Sequence, residues 1–268
     1  MKSNTFNFHE TFPMQLVYVS EILKLASESY VGSKEAISDR TSIPTGKSTG
    51  KVEPHIKYAA FAGLIEFKRD SGEYSLQLTP LGKAVYENDP YLLSDVTKHV
   101  MHYNLTSKNG APQWHFVFRK LSYEFYNAIS WSSIESRGKD LYGADIKVGP
   151  IRSLYGKEGD FNGVTSTDIN KESITFEPAY VEYDKINCYA YTLLNEWEQE
   201  GFETEIEISK ITHELKWGKA HGLDSEGELE VLEELAANGW IQLNKQMNPI
   251  TVINKVKSED VLMELYNE

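Results

Sequence analysis

The sequence has little of three things: cysteine, long apolar runs and positive charge. A single cysteine, Cys188, among 268 residues excludes an intramolecular disulfide and a zinc site built from several cysteines, and it favours a reducing compartment. No stretch approaches the roughly 18 consecutive apolar residues of a membrane-spanning helix. Residues 1–10 lack the basic start and apolar run of a signal peptide. We therefore expect a cytoplasmic protein without a membrane partner.

Positive charge is scarce overall but unevenly distributed. The chain has 27 Lys and Arg against 40 Asp and Glu, a net charge of -13. That balance alone argues against a nucleic-acid partner, because duplex binding depends on cations that neutralise phosphates. Residues 1–150 nevertheless carry 17 basic and 16 acidic side chains, whereas residues 151–268 carry 10 and 24. The two halves are therefore expected to face different partners.

The first 90 or so residues follow the element order of a winged helix-turn-helix. Apolar residues recur at helical spacing from Leu16 to Ala26, and a short polar helix is predicted over 35–40. A third helix, the candidate recognition helix, is predicted from Pro54. From Leu64 to Leu78 apolar and polar residues alternate on either side of a turn, a pattern that predicts two strands joined as a hairpin, the wing. Thr79-Pro80 then has the cap and first-position residues of a new helix.

The whole chain is predicted to be mainly α with small β-hairpins, an α+β fold in three regions. Residues 1–106 form a winged helix-turn-helix domain with following helices. Residues 107–177, where periodicity is weak, form a helical and loop-rich connecting region. Residues 178–268 form an acidic, winged-helix-like domain, because helix, short strand, helix, helix and hairpin follow one another there in a winged-helix order.

A turn is predicted at Ile43-Pro44-Thr45-Gly46, and a cluster of basic residues lies on this turn, the recognition helix and the wing of the first domain. These are the elements that touch DNA in winged-helix proteins, where the second helix of the pair enters the major groove and the wing meets phosphates. The alternative is that they are ordinary solvated charges on a fold that also serves as a protein-interaction scaffold. The predicted DNA-binding residues are Lys47, Lys51, His55, Lys57, Lys68 and Arg69, and Tyr58 could add a contact.

The second winged-helix-like domain cannot have the same role. A capping box, Ser225 with Glu228, predicts the start of its long helix. That helix is strongly acidic and would repel phosphate. A structural or protein-docking module is one interpretation, and a merely solvated acidic face is the other. The glutamates concerned are Glu226, Glu228, Glu230, Glu233 and Glu234.

Catalytic chemistry is not identified by any motif. Gly46-Lys47-Ser48 is not a phosphate-binding loop, because Thr41 stands where that motif needs glycine. Asp95, His99 and His102 have a spacing that could present three metal ligands, although core or capping histidines explain it better. Two acid-x-Lys patterns, 145–147 and 66–68, are too short to define a nuclease site. Catalytic and metal-binding residues therefore remain unassigned.

Several stretches together resemble the SspB-like family, which carries an uncharacterised domain (domain of unknown function 4007) and is encoded beside bacterial DNA phosphorothioation genes. The likeness extends over nearly the whole chain and is most specific at residues 89–92 and 102–105. The stretches that carry it are Phe8-His9-Glu10-Thr11-Phe12-Pro13, Ile56-Lys57-Tyr58, Leu78-Thr79-Pro80-Leu81-Gly82, Asp89-Pro90-Tyr91-Leu92 and His102-Tyr103-Asn104-Leu105.

The resemblance implies a component of an anti-phage DNA phosphorothioation system that works with a cysteine desulfurase, an ATPase and a sulfur-transfer enzyme. It further implies a nicking endonuclease that uses a divalent metal such as Mg²⁺ to make the break at which sulfur enters. The partners would be DNA and other proteins of the system, and a homo-oligomer is left open. The alternative function is a non-enzymatic winged-helix transcriptional regulator or adaptor whose acidic second half recruits a partner.

Overall fold

The structure, a computed structural model, describes residues 6–46 and 50–267. The chain forms two compact units, residues 1–175 and 176–268. The predicted α+β class with small antiparallel sheets is confirmed. No helix within the described residues is both long and apolar enough to span a lipid bilayer.

The helices are α1 Leu16–Ser27, α2 Lys34–Thr41, α3 Val52–Phe61, α4 Pro80–Asn88, α5 Asp95–Thr106, α6 Pro112–His115, α7 Trp131–Tyr142, α8 Gly149–Tyr155, α9 Ile186–Gln199, α10 Trp217–Ala220, α11 Ser225–Ala237 and α12 Ser258–Leu262. The strands are β1 Val31–Ser33, β2 Ile65–Asp70, β3 Glu73–Leu78, β4 Ala128–Ser130, β5 Thr167–Ile169, β6 Ser173–Phe176, β7 Glu205–Glu207, β8 Ile241–Asn244 and β9 Thr251–Asn254. Shorter helical turns of π type lie at Phe116–Lys120 and Lys210–Leu215, and a 3-10 turn lies at Tyr183–Lys185.

The first sheet confirms the predicted hairpin and adds one strand. β2 and β3 pair antiparallel through the turn at Ser71-Gly72, with Lys68 opposite Ser75 and Arg69 opposite Tyr74. β1 pairs with the free edge of β3, so the strand order is β1-β3-β2. The sequence did not predict β1, because three residues are too few to show an alternating pattern.

A close backbone approach joins this sheet to α4. The side chain of Thr79 accepts the Gly82 N–H at 2.8 Å and donates to the Gly63 carbonyl at 2.6 Å, so the predicted cap is confirmed. A Cβ atom at Gly82 would lie 1.7 Å from the Leu64 carbonyl oxygen. Glycine is therefore required at this position, and α4 is held directly against the start of β2.

The region predicted to be rich in loops contains a sheet of its own. α6, β4, α7, α8, β5 and β6 follow one another there, and the strand order is β4-β6-β5. The turn between β5 and β6 is held in place because three consecutive backbone carbonyls in it accept hydrogen bonds from other elements. Trp131 donates its ring and backbone N–H groups to the carbonyls of Asn170 and Glu172, and Arg152 donates to the carbonyl of Lys171 at 3.1 Å. No pattern in the sequence indicated this sheet, because strands of only three or four residues are too short to show an alternation of apolar and polar residues.

The second unit repeats the element order of the first sheet region. α9 is followed by β7, by two short helical turns, by α11 and by the β8–β9 hairpin, and the strand order is β7-β9-β8. The predicted capping box is wrong: Asp224, one residue earlier, caps α11 by accepting the Gly227 N–H. Glu228 instead turns inward, where its carboxylate accepts the Gly218 N–H at 2.9 Å.

Candidate nucleic-acid interface

Helix α3, the predicted recognition helix, begins at Val52 and exposes only a narrow strip of its surface. Val52, Ile56 and Ala59 are buried on one side of the helix, and His55 and Tyr58 are buried on another. A helix that enters a groove needs an open face. Glu53, Lys57 and Ala60, spaced three or four residues apart, supply the partly exposed strip, with Phe61 beside them.

The segment that precedes α1 covers part of α3. The Phe8 ring packs edge-on against the rings of Tyr58 and Phe61, at centroid distances of 4.9 and 4.8 Å. The Tyr58 hydroxyl donates to the Phe12 carbonyl at 2.9 Å, and its ring also contacts that of Trp114 at 5.8 Å. Tyr58 is therefore a core residue, and the suggestion that it contacts DNA is wrong.

His55 is also in the core, which corrects its prediction as a surface contact. Its side chain is fully buried. Nε2 accepts the Gln15 backbone N–H at 3.1 Å, so the ring proton is on Nδ1, which donates to the Lys51 carbonyl at 2.7 Å. Burial lowers the pKa of His55 to about 4, and the Lys51 charge acts in the same direction. The ring is therefore neutral near pH 7, and both nitrogens already have backbone partners.

Lys51 lies among aromatic rings and is half-buried. Its Nζ is 5.3 Å from the centroid of the Tyr18 ring and 5.9 Å from that of Phe12, and it donates to Gln15 Oε1 at 3.3 Å. Cation–π contacts of this kind fix a lysine against the protein surface. Lys51 therefore stabilises the packing of α1 and the preceding segment against α3.

Two predicted residues, Lys57 and Arg69, do come together, and they meet around the carboxylate of Glu53. Glu53 Oε1 accepts from Lys57 Nζ at 2.8 Å. Glu53 Oε2 accepts from the Tyr74 hydroxyl at 2.8 Å and lies 3.5 Å from an Arg69 guanidinium nitrogen. The guanidinium carbon of Arg69 is 5.2 Å from the centroid of the Tyr74 ring, its cross-strand neighbour. We call Glu53, Lys57, Arg69 and Tyr74 the Glu53 cluster.

The electrostatics of the Glu53 cluster favour the ionised carboxylate. Partial burial raises the pKa of Glu53, but the hydrogen bonds from Lys57 and Tyr74 and the charges of Lys57 and Arg69 outweigh burial, so the net pKa is lowered. Burial and the same carboxylate raise the pKa of Tyr74. One negative and two positive charges leave the cluster with a net positive charge.

Lys68 points away from the Glu53 cluster. Successive side chains of a strand point to opposite faces, so Lys68 and Arg69 cannot share one face of the wing. Lys68 is exposed beside Glu66 and opposite Ser75. Lys47 lies outside the described residues. Of the six predicted contacts, the structure therefore brings Lys57 and Arg69 together, separates Lys68 from them, and places Lys51 and His55 in packing roles.

The signals that could have identified the Glu53 cluster were present in the sequence but needed tertiary context. Glu53 and Lys57 have the i, i+4 spacing of a helical ion pair. Arg69 and Tyr74 symmetrically flank the Asp70-Ser71-Gly72-Glu73 turn, which places them opposite each other once the register is known. The two pairs meet at one carboxylate because α3 packs on the hairpin.

The candidate metal ligands do not form a site. His102 is buried, with Nδ1 2.7 Å from the Tyr155 hydroxyl, and His99 Nδ1 lies 2.7 Å from the Asp95 carbonyl oxygen. Asp145, from one acid-x-Lys pattern, pairs with Lys139 at 2.9 Å. In residues 6–46 and 50–267 no three His, Cys, Asp or Glu side chains are grouped so as to hold a metal ion.

Charge follows the boundary between the two units. Residues 1–175 carry 20 basic and 20 acidic side chains, and residues 176–268 carry 7 and 20, so the entire net charge lies in the second unit. On α11, Glu226, Glu230 and Glu233 reach the surface. Glu230 accepts a hydrogen bond from the Tyr183 hydroxyl, and Glu233 pairs with Lys245.

Solved structures of SspB share this fold. A magnesium ion-bound SspB crystal structure superposes with a TM-score of 0.76 at 14% sequence identity, and the match covers 97% of this chain and 86% of that one. A second SspB crystal structure gives a TM-score of 0.74 at the same identity and coverage. No protein-family model matches the chain, and no curated protein matches it. The chain therefore has the fold of SspB over nearly its whole length.

Proposed function

We propose that this protein is a DNA-binding component of a bacterial DNA phosphorothioation system and that a winged helix in its first unit binds the duplex. The observation that carries the proposal is the element order of α1, β1, α2, α3 and the β2–β3 hairpin, with strand order β1-β3-β2. In winged-helix proteins that order presents a helix and a wing to DNA. The likeness in fold to SspB and the sequence resemblance to its family support the assignment to such a system.

The distribution of charge supports the first unit as the DNA-contacting part. That unit has no net charge, whereas the second unit has a net charge of -13, which would repel a polyanion. The proposed contacts are Lys57 and Arg69 from the Glu53 cluster and Lys68 on the wing, with Lys47 as a further predicted contact. Because α3 exposes only a narrow strip, phosphate contacts should dominate over base readout.

A charge reversal on the wing tests this proposal. Lys68→Glu should weaken the binding of a fluorescein-labelled 20-base-pair duplex by roughly tenfold and lower the salt slope by about one, since one phosphate contact is lost. Lys83→Glu is the matched control, because Lys83 is an exposed lysine on α4 and the change in net charge is the same. Equal effects of the two reversals in fluorescence anisotropy would contradict wing contacts.

DNA nicking is a separate part of the proposal. One of the SspB structures of similar fold contains a magnesium ion. Because no group of three His, Cys, Asp or Glu side chains that could hold a metal ion lies among the described residues, we derive no cleavage step. The assay is conversion of supercoiled plasmid to open circles in Mg²⁺ and in EDTA. Metal-dependent open circles support a nickase, and duplex binding with intact plasmid supports a non-enzymatic role.

A second candidate function is that of an adaptor, and the acidity of the second unit favours it. That unit has the same element order as the first, yet the helix in the recognition position, α11, exposes glutamates. A basic protein surface is the partner that such a helix would attract. Co-purification of the chain with the other proteins of a phosphorothioation system, before and after Glu226→Lys and Glu230→Lys, tests this function without any DNA.

A further inference from the structure

The Glu53 carboxylate is surrounded by the donors that a phosphate group would require. An ammonium, a guanidinium and a phenolic hydroxyl converge on its two oxygens from α3 and from both strands of the hairpin. Phosphate groups in proteins are bound by the same kinds of donor. Glu53 also lies in the first turn of α3, where the helix dipole favours a negative charge.

The cluster is accessible to a ligand. The side chains of Glu53 and Lys57 are 30% and 28% exposed, and that of Arg69 is 53% exposed. Tyr74 is buried beneath them, so its hydroxyl forms the floor of the site. An anion that approaches the strip of α3 beside the wing would meet Lys57 and Arg69 first. It would also meet Glu53, whose negative charge repels it.

We propose that Glu53 is an internal substitute for a DNA phosphate: Lys57, Arg69 and Tyr74 form a phosphate site, and Glu53 occupies it until DNA displaces the carboxylate. This inference rests on the proposed DNA-binding function and adds a regulatory residue to it. Glu53 lowers affinity for any duplex, so that only DNA that makes further contacts binds tightly. The competing explanation is that the Glu53 cluster only joins α3 to the hairpin.

Glu53→Gln distinguishes these explanations, because the amide keeps the size of the side chain and its ability to accept from Tyr74 but loses the charge. We expect Glu53→Gln to bind the labelled duplex about 3- to 10-fold more tightly than the wild type, with a salt slope steeper by about one, because Lys57 and Arg69 are released to pair with phosphates. A purely structural cluster would give the opposite result: lower thermal stability and unchanged or weaker binding.

Glu87→Gln is the matched control. Glu87 is exposed on α4, outside the helix and the hairpin to which the DNA contacts are assigned, and its substitution removes the same charge. A general electrostatic effect would tighten binding equally in both variants. In the Glu53→Gln background, Arg69→Gln should abolish the gain. Should Glu53→Gln fail to fold, Glu53→Ala provides the same test, since it also removes the charge, releases Lys57 and Arg69, and should also tighten binding.

The outcomes separate this inference from the proposed function. Tighter binding by Glu53→Gln than by Glu87→Gln supports both, whether or not wild-type binding is measurable. If the wild type binds DNA and Glu53→Gln tightens that binding no more than Glu87→Gln does, the role of Glu53 is overturned and DNA binding is left intact. Absence of binding by the wild type and by both variants would overturn the two proposals together.

Discussion

Two buried histidines should make the first unit sensitive to mild acid. Burial lowers the pKa of His55 and of His9 from 6.5 to about 4, and both side chains are fully buried. In the unfolded chain each histidine binds its proton near pH 6.5, before the folded protein can do so. Their contribution to stability is therefore complete above about pH 6.5 and is lost as the pH falls towards about 4.

The structure gives the size of this effect. When burial lowers the pKa of a histidine from 6.5 to about 4, the free energy of unfolding falls by about 3 kcal/mol once the pH is below both values. About 2 kcal/mol of this is already lost at about pH 5. Protonation of His9 and His55 should therefore lower the free energy of unfolding of the first unit by about 4 kcal/mol between about pH 7.5 and about pH 5. That is a large part of the stability of an ordinary domain, which is roughly 5–15 kcal/mol.

His55→Gln isolates one of the two contributions. The amide oxygen can still accept the Gln15 N–H, and glutamine does not titrate. Urea unfolding at the two pH values should show that the pH-dependent loss is about 2 kcal/mol smaller in the variant than in the wild type. His213→Gln, at an exposed position of the second unit, is the control. A loss of the same size in the wild type and in His55→Gln would refute the argument from burial.

Two further predictions concern packing. Gly82→Ala should destabilise the first unit by about 3 kcal/mol or more in urea unfolding, because the new methyl group would lie 1.7 Å from the Leu64 carbonyl and α4 must move away; a loss below about 1 kcal/mol would contradict this close approach. Cys188 should react with a thiol reagent at about pH 8 only as fast as the second unit opens, because its side chain is buried and burial raises its pKa to about 12. Labelling as fast as that of free cysteine would show that the thiol is accessible.

The sequence predicted those elements of the fold whose signals are local. The apolar stripe of α1, the alternation on either side of Ser71-Gly72 and the Thr79-Pro80 start of α4 each depend on neighbouring residues, and each is confirmed. β1 and β4 were missed because each has three residues and gains its hydrogen bonds from a strand distant in sequence. Strand pairing of this kind has no local pattern to detect.

The candidate site was harder to predict, because the partners of its side chains lie far away in sequence. Element order placed Lys57 and Arg69 on a helix and a wing. It could not show that α1 and the segment before it would bury His55 and enclose Lys51 between aromatic rings. Nor could it show that Glu53 would reach Tyr74, 21 residues along the chain. Charge counted along a sequence therefore overestimates the positive surface that a partner meets.

Element order is also insufficient to assign a partner. Within residues 6–46 and 50–267 the succession of helix, strand, helix, helix and two strands occurs three times, and the strand order in each sheet is first, third, second. The helices in the third-helix position differ in what they expose. α3 shows the Glu53–Lys57 pair, α8 shows Arg152 and Ser153, and α11 shows glutamates. One topology thus presents three different surfaces, and the charge on each surface decides whether DNA or a basic protein can bind there.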